Sequence, residues 1–517
     1  MAGSPLSEVR RRVQGRLIAL IVTLALISPS AWPHPSTHSL PPSLASALTN
    51  SGLVLDRLSL SLQPLDGDGL RIEHDAEASR PPASVLKLLT TYAALELLGP
   101  AHTWTTEAWL SSPVHRGVLS SPLIIRASGD PGLDESELRS LLQRLRTRGL
   151  NELNGGLILD RSVFDLPEFN PGSFDGQALA PYNSGPDALT FNANVVTVQL
   201  RPGPPWRAAL VAPAPIGLDL IARIASREGP CDEWRSGIEA TLFVRPNIHR
   251  LVLTGVMASD CGERDLHLSP LSAPDLFAGS LAAIWLELGG RIDRRSRIKW
   301  SSGVAPTFGQ PAASVPSQAL ASIVRTINKH SNNPMARTLL LSLSTKRPAR
   351  VEDAERRLHT WLEGRGLSTP ELVIDNGSGL SRQARWSTAG AVRLLAAARS
   401  SPVWPEFLSS LPILGADGTL ARRHRDAPGR TRLRAKTGSL DGVRTLAGYL
   451  LPECGPAYAF ALFIEHPDMP ATRAAQDAFI AWLLDLAPTC GDEGRTNCGQ
   501  TCDPGIDAGS SGRRFPP

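Results

Sequence analysis

Arg80-Pro-Pro-Ala-Ser-Val-Leu-Lys-Leu-Leu-Thr-Thr-Tyr-Ala-Ala-Leu-Glu-Leu-Leu-Gly99 is the stretch from which the rest of this chain can be read. Two prolines stand at its start and Gly99-Pro100 close it, so both ends of a helix are marked. Between them Leu86, Leu88, Leu89, Tyr92, Ala93, Leu95, Leu97 and Leu98 leave almost no polar face, which predicts a helix buried on all sides in a large core. Ser84 and Lys87 are then polar groups at a buried helix end, three residues apart and so on one side of it. A lysine amine placed there can take a proton from a serine hydroxyl, as in an activated nucleophile. The bland alternative is a serine that caps the helix and a lysine that extends to water.

The 517 residues, 42% apolar and 20% charged, have the composition of a globular protein of roughly two to four domains. A net charge of +4, with acids and bases interspersed, gives no footprint for nucleic acid. The N-terminus differs: Arg10, Arg11, Arg12 and Arg16 precede the apolar run Leu17–Ile27 and a small-residue exit. Residues 1–31 therefore read as a signal peptide, and the chain as an exported protein of the periplasm or another extracytoplasmic cell-wall space. The lack of a clean A-x-A site leaves an uncleaved anchor, and with it a weak membrane association, as the alternative.

Export places the six cysteines where pairing is expected. Cys231 and Cys261 fall in one segment and are the favoured pair, while Cys454, Cys490, Cys498 and Cys502 could make two further bridges of open connectivity. No C-x-x-C or H-E-x-x-H is present and the histidines show no ligand spacing, so neither a metal nor a cofactor is expected.

After a Pro/Ser-rich linker (33–42), Leu58-Ser-Leu-Ser-Leu-Gln63 alternates as a strand, and Asp66-Gly-Asp-Gly69 turns the chain into a second one. From His102 to Trp300 the texture changes to short β-like runs, among them 122–126, 156–160, 195–200 and 251–254, which read as separate inserted material. Helical patterning returns at 317–331, 336–343, 354–367 and 387–399. Strands are then expected at 432–438, 443–451 and 457–464, the first pair joined by a turn at Asp441-Gly442, with a last helix at 471–486 to cover them. Residues 488–517 read as a disordered tail.

Ser331-Asn-Asn333 and Lys436-Thr-Gly438 follow Ser84-Val-Leu-Lys87 in order. Taken singly they read as a helix-end turn and a strand end. The ordered set S-x-x-K, S-x-N, K-T-G is instead a known signature of penicillin-binding proteins and class A β-lactamases. Around it stand Pro82–Thr90, Asn328–Asn333, Asp375-Asn-Gly-Ser-Gly-Leu-Ser-Arg382, Leu411-Pro-Ile-Leu-Gly-Ala-Asp-Gly-Thr-Leu420 and Ala435–Ser439. On these residues, from about 45 to 487, the chain resembles the D-alanyl-D-alanine carboxypeptidase/endopeptidase family of class C low-molecular-mass penicillin-binding proteins. Almost half of the chain separates Ser84 from Ser331, where other members of that superfamily have a much shorter helical segment. Ser128-Gly-Asp-Pro-Gly132, Leu157-Ile-Leu-Asp160 and Phe191-Asn-Ala-Asn194 look like the family's insert markers.

The resemblance implies an α/β penicillin-binding/β-lactamase-like transpeptidase fold, an antiparallel sheet flanked by helices, with two nested, β-rich inserted domains. Residues 42–104 and 306–487 would form the catalytic domain, 105–180 and 272–305 the outer insert, and 181–271 the inner one. It implies a serine D-Ala-D-Ala carboxypeptidase or DD-endopeptidase acting on peptidoglycan stem peptides, with β-lactam antibiotics as covalent inhibitors. Ser84 would be the nucleophile and Lys87 its base, kept partly neutral by burial and by Lys436. Ser331 would relay the proton to the leaving amine and Asn333 would hold a substrate amide. Lys436, Thr437 and Ser439 would bind the terminal carboxylate, and Gly438 would let substrate backbone lie against the strand. The N–H groups of Ser84 and Ser439 would form the oxyanion hole. Arg382 matches the arginine that meets the free carboxylate of the stem's diamino acid, and Asp441, at a position the family varies, would shift preference among substrates.

Three other readings compete. A class A β-lactamase would need its deacylating glutamate four before Asn154, where Leu150 stands. An α/β-hydrolase elbow at Ser378 would need glycine in place of Asn376. A non-catalytic peptidoglycan-binding scaffold would be expected to have lost some of its motif residues, yet all seven are intact.

Overall fold

The strand at Leu58–Pro64 (β1) forms as its Leu-Ser alternation predicted, with residues 58–62 buried on both faces. Leu58, Leu60 and Leu62 enter an apolar cluster with helices Pro42–Asn50 (α1) and Met469–Asp485, while Ser59 and Ser61 turn to the opposite layer. The serines are satisfied there: Ser61 donates to Thr388 Oγ1 at 2.9 Å and Ser59 accepts from Arg80 at 2.6 Å. In this computed structural model, residues 39–231, 233–245, 248–292, 299–453 and 455–486 are described. The expected signal peptide, the tail, and Cys454, Cys490, Cys498 and Cys502 lie outside them. All described residues belong to one compact unit. Among them no helix is long and apolar enough to cross a membrane.

β1 sits in a five-stranded antiparallel sheet with Ile72–His74 (β2), Leu433–Leu440 (β3), Val443–Leu450 (β4) and Tyr458–Glu465 (β5), in the order β3-β4-β5-β1-β2. The turn at Asp441-Gly442, with Gly442 at φ 74°, joins β3 to β4 as the sequence predicted. On one face lie Lys87–Leu98 (α2), Leu320–His330 (α3), Asn333–Ser342 (α4) and Thr388–Arg399 (α5); Leu88, Leu89, Tyr92 and Leu95 of α2 are fully buried among them. Met469–Asp485 (α6) and α1 cover the other face.

The start of α2 differs from the helix expected at Ser84. Residues Ala83–Leu86 form a 3₁₀ turn and the α-helix begins at Lys87, with no side-chain cap at either start, so Ser84 is not a cap. The turn is pinned from outside: Thr445 on β4 donates to the Pro82 carbonyl at 2.9 Å, and Ala83 is held at φ 45°, a conformation costly for a residue with a Cβ. Gly99 closes α2 at φ 85°, as the Gly-Pro signal predicted.

The inserted stretch holds a mixed five-stranded sheet, with Thr105–Leu110, Leu123–Arg126 and Leu157–Asp160 at its centre, and two three-stranded sheets within residues 196–268. One apolar core runs through them. It also contains helices Glu135–Thr147 and Ala273–Glu287, which were not expected in this β-like stretch. The outer strand Ala313–Pro316 pairs with Thr105–Leu110, so this sheet continues beyond residue 305, where the outer insert was expected to close. Cys231 and Cys261 form the favoured disulfide.

Candidate active site

The three motifs converge in one open cleft of about 810 Å³ between β3 and the 3₁₀ turn. Ser84 projects into it from the turn and Lys87 stands one turn on, fully buried. Lys87 Nζ donates to Ser84 Oγ at 2.9 Å, to Asn333 Oδ1 at 2.5 Å and to the Ser378 carbonyl at 2.6 Å. These contacts rule out the reading in which the lysine extends to water. Burial, then the nearby Lys436 ammonium and Arg337 guanidinium, hold the Lys87 pKa well below the usual lysine value.

Lys436 is also fully buried; its Nζ donates to Ser331 Oγ at 2.8 Å and to the Thr437 carbonyl at 2.7 Å, and burial pushes its pKa down to about 7. The two buried ammonium groups repel one another, which favours the loss of a proton from one of them. Ser331 sits in the left-handed region at φ 57°, ending α3, and Asn332 caps α4, so Asn333 points back at Lys87. Asn333 Nδ2 also donates to the Tyr182 carbonyl at 3.0 Å.

Gly438 has a packing role within the protein itself. A Cβ there would meet Thr445 Oγ1 at 2.2 Å, the Ser84 nitrogen at 2.8 Å and Ala83 Cβ at 2.9 Å. The glycine lets the protein's own nucleophile turn lie against β3, and this brings the Ser84 N–H beside the strand that carries Ser439. Thr437 donates to Thr419 Oγ1 at 2.8 Å, which ties the Leu411–Leu420 stretch to the strand. That stretch is anchored from below by Lys329, whose Nζ contacts both oxygens of Asp417 at 2.8 and 2.6 Å.

Arg382 lines the same cleft, exposed, with its guanidinium 4.8 Å from the Phe174 ring and a 3.3 Å hydrogen bond to the Asp441 carbonyl. Asp175 and Tyr182, joined at 2.9 Å, line the cleft with it. Sequence reasoning missed both, because they come from the inserted stretch and belong to no motif. It also missed the Ser378 carbonyl as a partner of Lys87. The Asp375–Arg382 stretch shapes that contact: Asn376 Oδ1 accepts from the Ser378 N–H and hydroxyl, and a Cβ at Gly379 would lie 1.8 Å from the Ala83 carbonyl.

A serine held by a neutralisable lysine, with a second lysine and hydroxyl across the cleft on a sheet-edge strand, defines an active-site serine hydrolase of the penicillin-recognising type. The chain belongs to the D-Ala-D-Ala carboxypeptidase 3 (S13) family, whose sequence model matches residues 40–486. It is accordingly a serine-type D-Ala-D-Ala carboxypeptidase hydrolase. Among curated relatives it is 30% identical to the D-alanyl-D-alanine carboxypeptidase of Actinomadura sp. (strain R39) over 434 residues, covering 80% of this chain and 78% of that one. It is 26% identical to D-alanyl-D-alanine carboxypeptidase DacB of Haemophilus influenzae over 396 residues, covering 74% and 80%. The fold matches the crystal structure of penicillin binding protein 4 from Haemophilus influenzae with a TM-score of 0.69 at 23% identity, over 86% of this chain and 99% of that one. A second structure of that protein is a complex with a β-lactam.

Proposed function

We propose that Ser84 Oγ attacks the carbonyl carbon between the two D-alanine residues of a peptidoglycan stem peptide while Lys87 Nζ takes the hydroxyl proton. The observation that carries this is the 2.9 Å contact between a fully buried lysine amine and the serine hydroxyl. The Ser84 and Ser439 N–H groups stabilise the oxyanion. The C–N bond breaks, and the leaving amine takes a proton through Ser331, which Lys436 orients. Water then hydrolyses the Ser84 ester. Thr437, Ser439 and Lys436 receive the terminal carboxylate, Asn333 a substrate amide, and Arg382 with Asp175 the free ends of the stem's diamino acid. A β-lactam acylates the same serine, and the reaction takes place in the extracytoplasmic cell-wall space. DD-endopeptidase action follows when the leaving amine belongs to a second stem.

Intact-mass measurement after benzylpenicillin tests the assignment. The wild-type chain should gain one adduct and Ser84→Ala none, at unchanged fold, because Ser84 makes no cap. An adduct that persists in Ser84→Ala removes this serine as nucleophile.

A further inference from the structure

The side of the cleft beyond the terminal-carboxylate position is lined with arginine. Side chains alternate along β3, so Lys436 and Gly438 face Ser84 while Thr437 and Ser439 face the layer of α6. Ser439 is the cross-strand partner of Arg444, whose Nε donates to Thr472 Oγ1 of α6 at 3.2 Å. Arg473 on the same helix and Arg422 and Arg423 after Thr419 complete this arm. Among the described residues, the only ion pairs these four arginines make run to one carboxylate, Asp477, which Arg423 contacts through Nε at 2.8 Å and Arg473 approaches at 3.9 Å. Among the described residues neither Arg422 nor Arg444 makes an ion pair, and Asp477 is the acid that acts on Arg444 from a distance. Burial above all, then the Arg423 and Arg473 charges, lowers the Arg444 pKa, and Asp477 offsets part of this.

A departing D-alanine has one carboxylate, and Lys436, Thr437 and Ser439 already meet it. The cleft of about 810 Å³ is in the range that encloses a drug-sized ligand, more than a dipeptide end requires. Four guanidinium groups that share one carboxylate in such a place are suited to carboxylates that lie farther along the leaving group. Building on the function proposed above, we propose that the arm formed by Arg422, Arg444 and Arg473 binds the carboxylates of a leaving stem peptide. The favoured substrate is then a cross-linked stem-peptide dimer rather than a monomer that releases D-alanine.

The test uses the full chain and the double variant Arg422→Glu/Arg473→Glu, both residues at the solvent side of the arm. kcat/KM is measured on a purified cross-linked muropeptide dimer, on the same dimer with the leaving stem's carboxylates amidated except the one next to the scissile bond, and on an uncross-linked pentapeptide, with benzylpenicillin acylation as the readout of an intact centre. The variant should lose roughly 10- to 100-fold on the dimer, while pentapeptide cleavage and acylation stay within about twofold. For wild type, amidation should cost a similar factor, and for the variant little, as expected when both changes remove one interaction. Equal losses on dimer and pentapeptide, or an unchanged dimer rate, would overturn the proposal and leave the proposed function standing. A wild-type chain that is acylated by penicillin but cleaves neither peptide would overturn the proposed function, and this inference with it.

Discussion

Replacing Gly438 by alanine should damage the active centre through the protein's own packing. The new Cβ would fall 2.8 Å from the Ser84 nitrogen, 2.9 Å from Ala83 Cβ and 2.2 Å from Thr445 Oγ1, where ordinary contact begins at 3.4 Å. The threonine hydroxyl could rotate, at the expense of its bond to the Pro82 carbonyl. The Ser84 nitrogen is backbone and cannot, so the turn and β3 must separate by about 0.6 Å, just beyond the roughly 0.5 Å within which a catalytic group must be held. A misplacement of about 1 Å costs on the order of 100-fold, so acylation by a fluorescent penicillin should slow by roughly 10- to 100-fold. The overpacking itself should destabilise by about 1–3 kcal/mol. Adding Thr445→Ala should restore part of the stability but little of the rate, because the backbone contact remains. Stopped-flow acylation and thermal melts on the wild type and the two variants measure both effects. Acylation of Gly438→Ala within threefold of wild type would refute the claim that this glycine sets the distance between nucleophile turn and strand.

Arg382→Ala should weaken cleavage of stem peptides that carry the diamino-acid carboxylate by roughly 10- to 100-fold, the worth of a charge-assisted hydrogen bond, and leave penicillin acylation near wild type; parallel kinetics on both substrates will show it, and equal losses would mark a structural role. Catalysis needs Lys87 neutral and Lys436 charged, so kcat/KM should rise with pH through the depressed Lys87 value and fall above about 7 as Lys436 loses its proton. A bound carboxylate stabilises the charged Lys436, so the alkaline limb of kcat should lie at higher pH than that of kcat/KM; one shared limb would contradict this. Both lysines bind fewer protons folded than unfolded between their depressed values and 10.5, so stability should increase with pH across that window, as pH-dependent denaturant melts would reveal. Cys231→Ser should destabilise the inserted sheets by about 3–4 kcal/mol, as for a loop closed over a separation of 30 residues, while penicillin labelling at Ser84 persists.

The chemistry was more legible than its setting. Ser84, Lys87, Ser331, Asn333, Lys436 and Thr437 stand in short ordered motifs, and the fold brings those motifs together in one cleft. Tyr182 and Asp175 do not, because their position depends on how an inserted segment folds back over the cleft. The strands of the main sheet were readable, but not the burial of both faces of β1: its serines are satisfied by Arg80 and Thr388, which only the fold brings near. Helix Glu135–Thr147 did carry a signal. Asp134 caps it, and Leu138, Leu141, Leu142 and Leu145 fall on one buried face, a 3.6-residue period hidden among neighbouring β-like runs. The role of Gly438 was not legible, since the atoms that crowd it are remote in sequence.

β1 pairs with β5 from Leu58 opposite Ile464 to Pro64 opposite Tyr458, so the first strand of the sheet waits for the last. Closing so long a loop is slow, and it comes late in synthesis. The inserted sheets, which are complete by residue 316, can fold while β3 to β5 have yet to emerge. Until then Ser84 has no strand beside it and Lys87 no Lys436. A chain that stalls before residue 433 therefore holds Ser84 and Lys87 but not the strand that closes the cleft, and the cleft is completed only once β3 to β5 have been made.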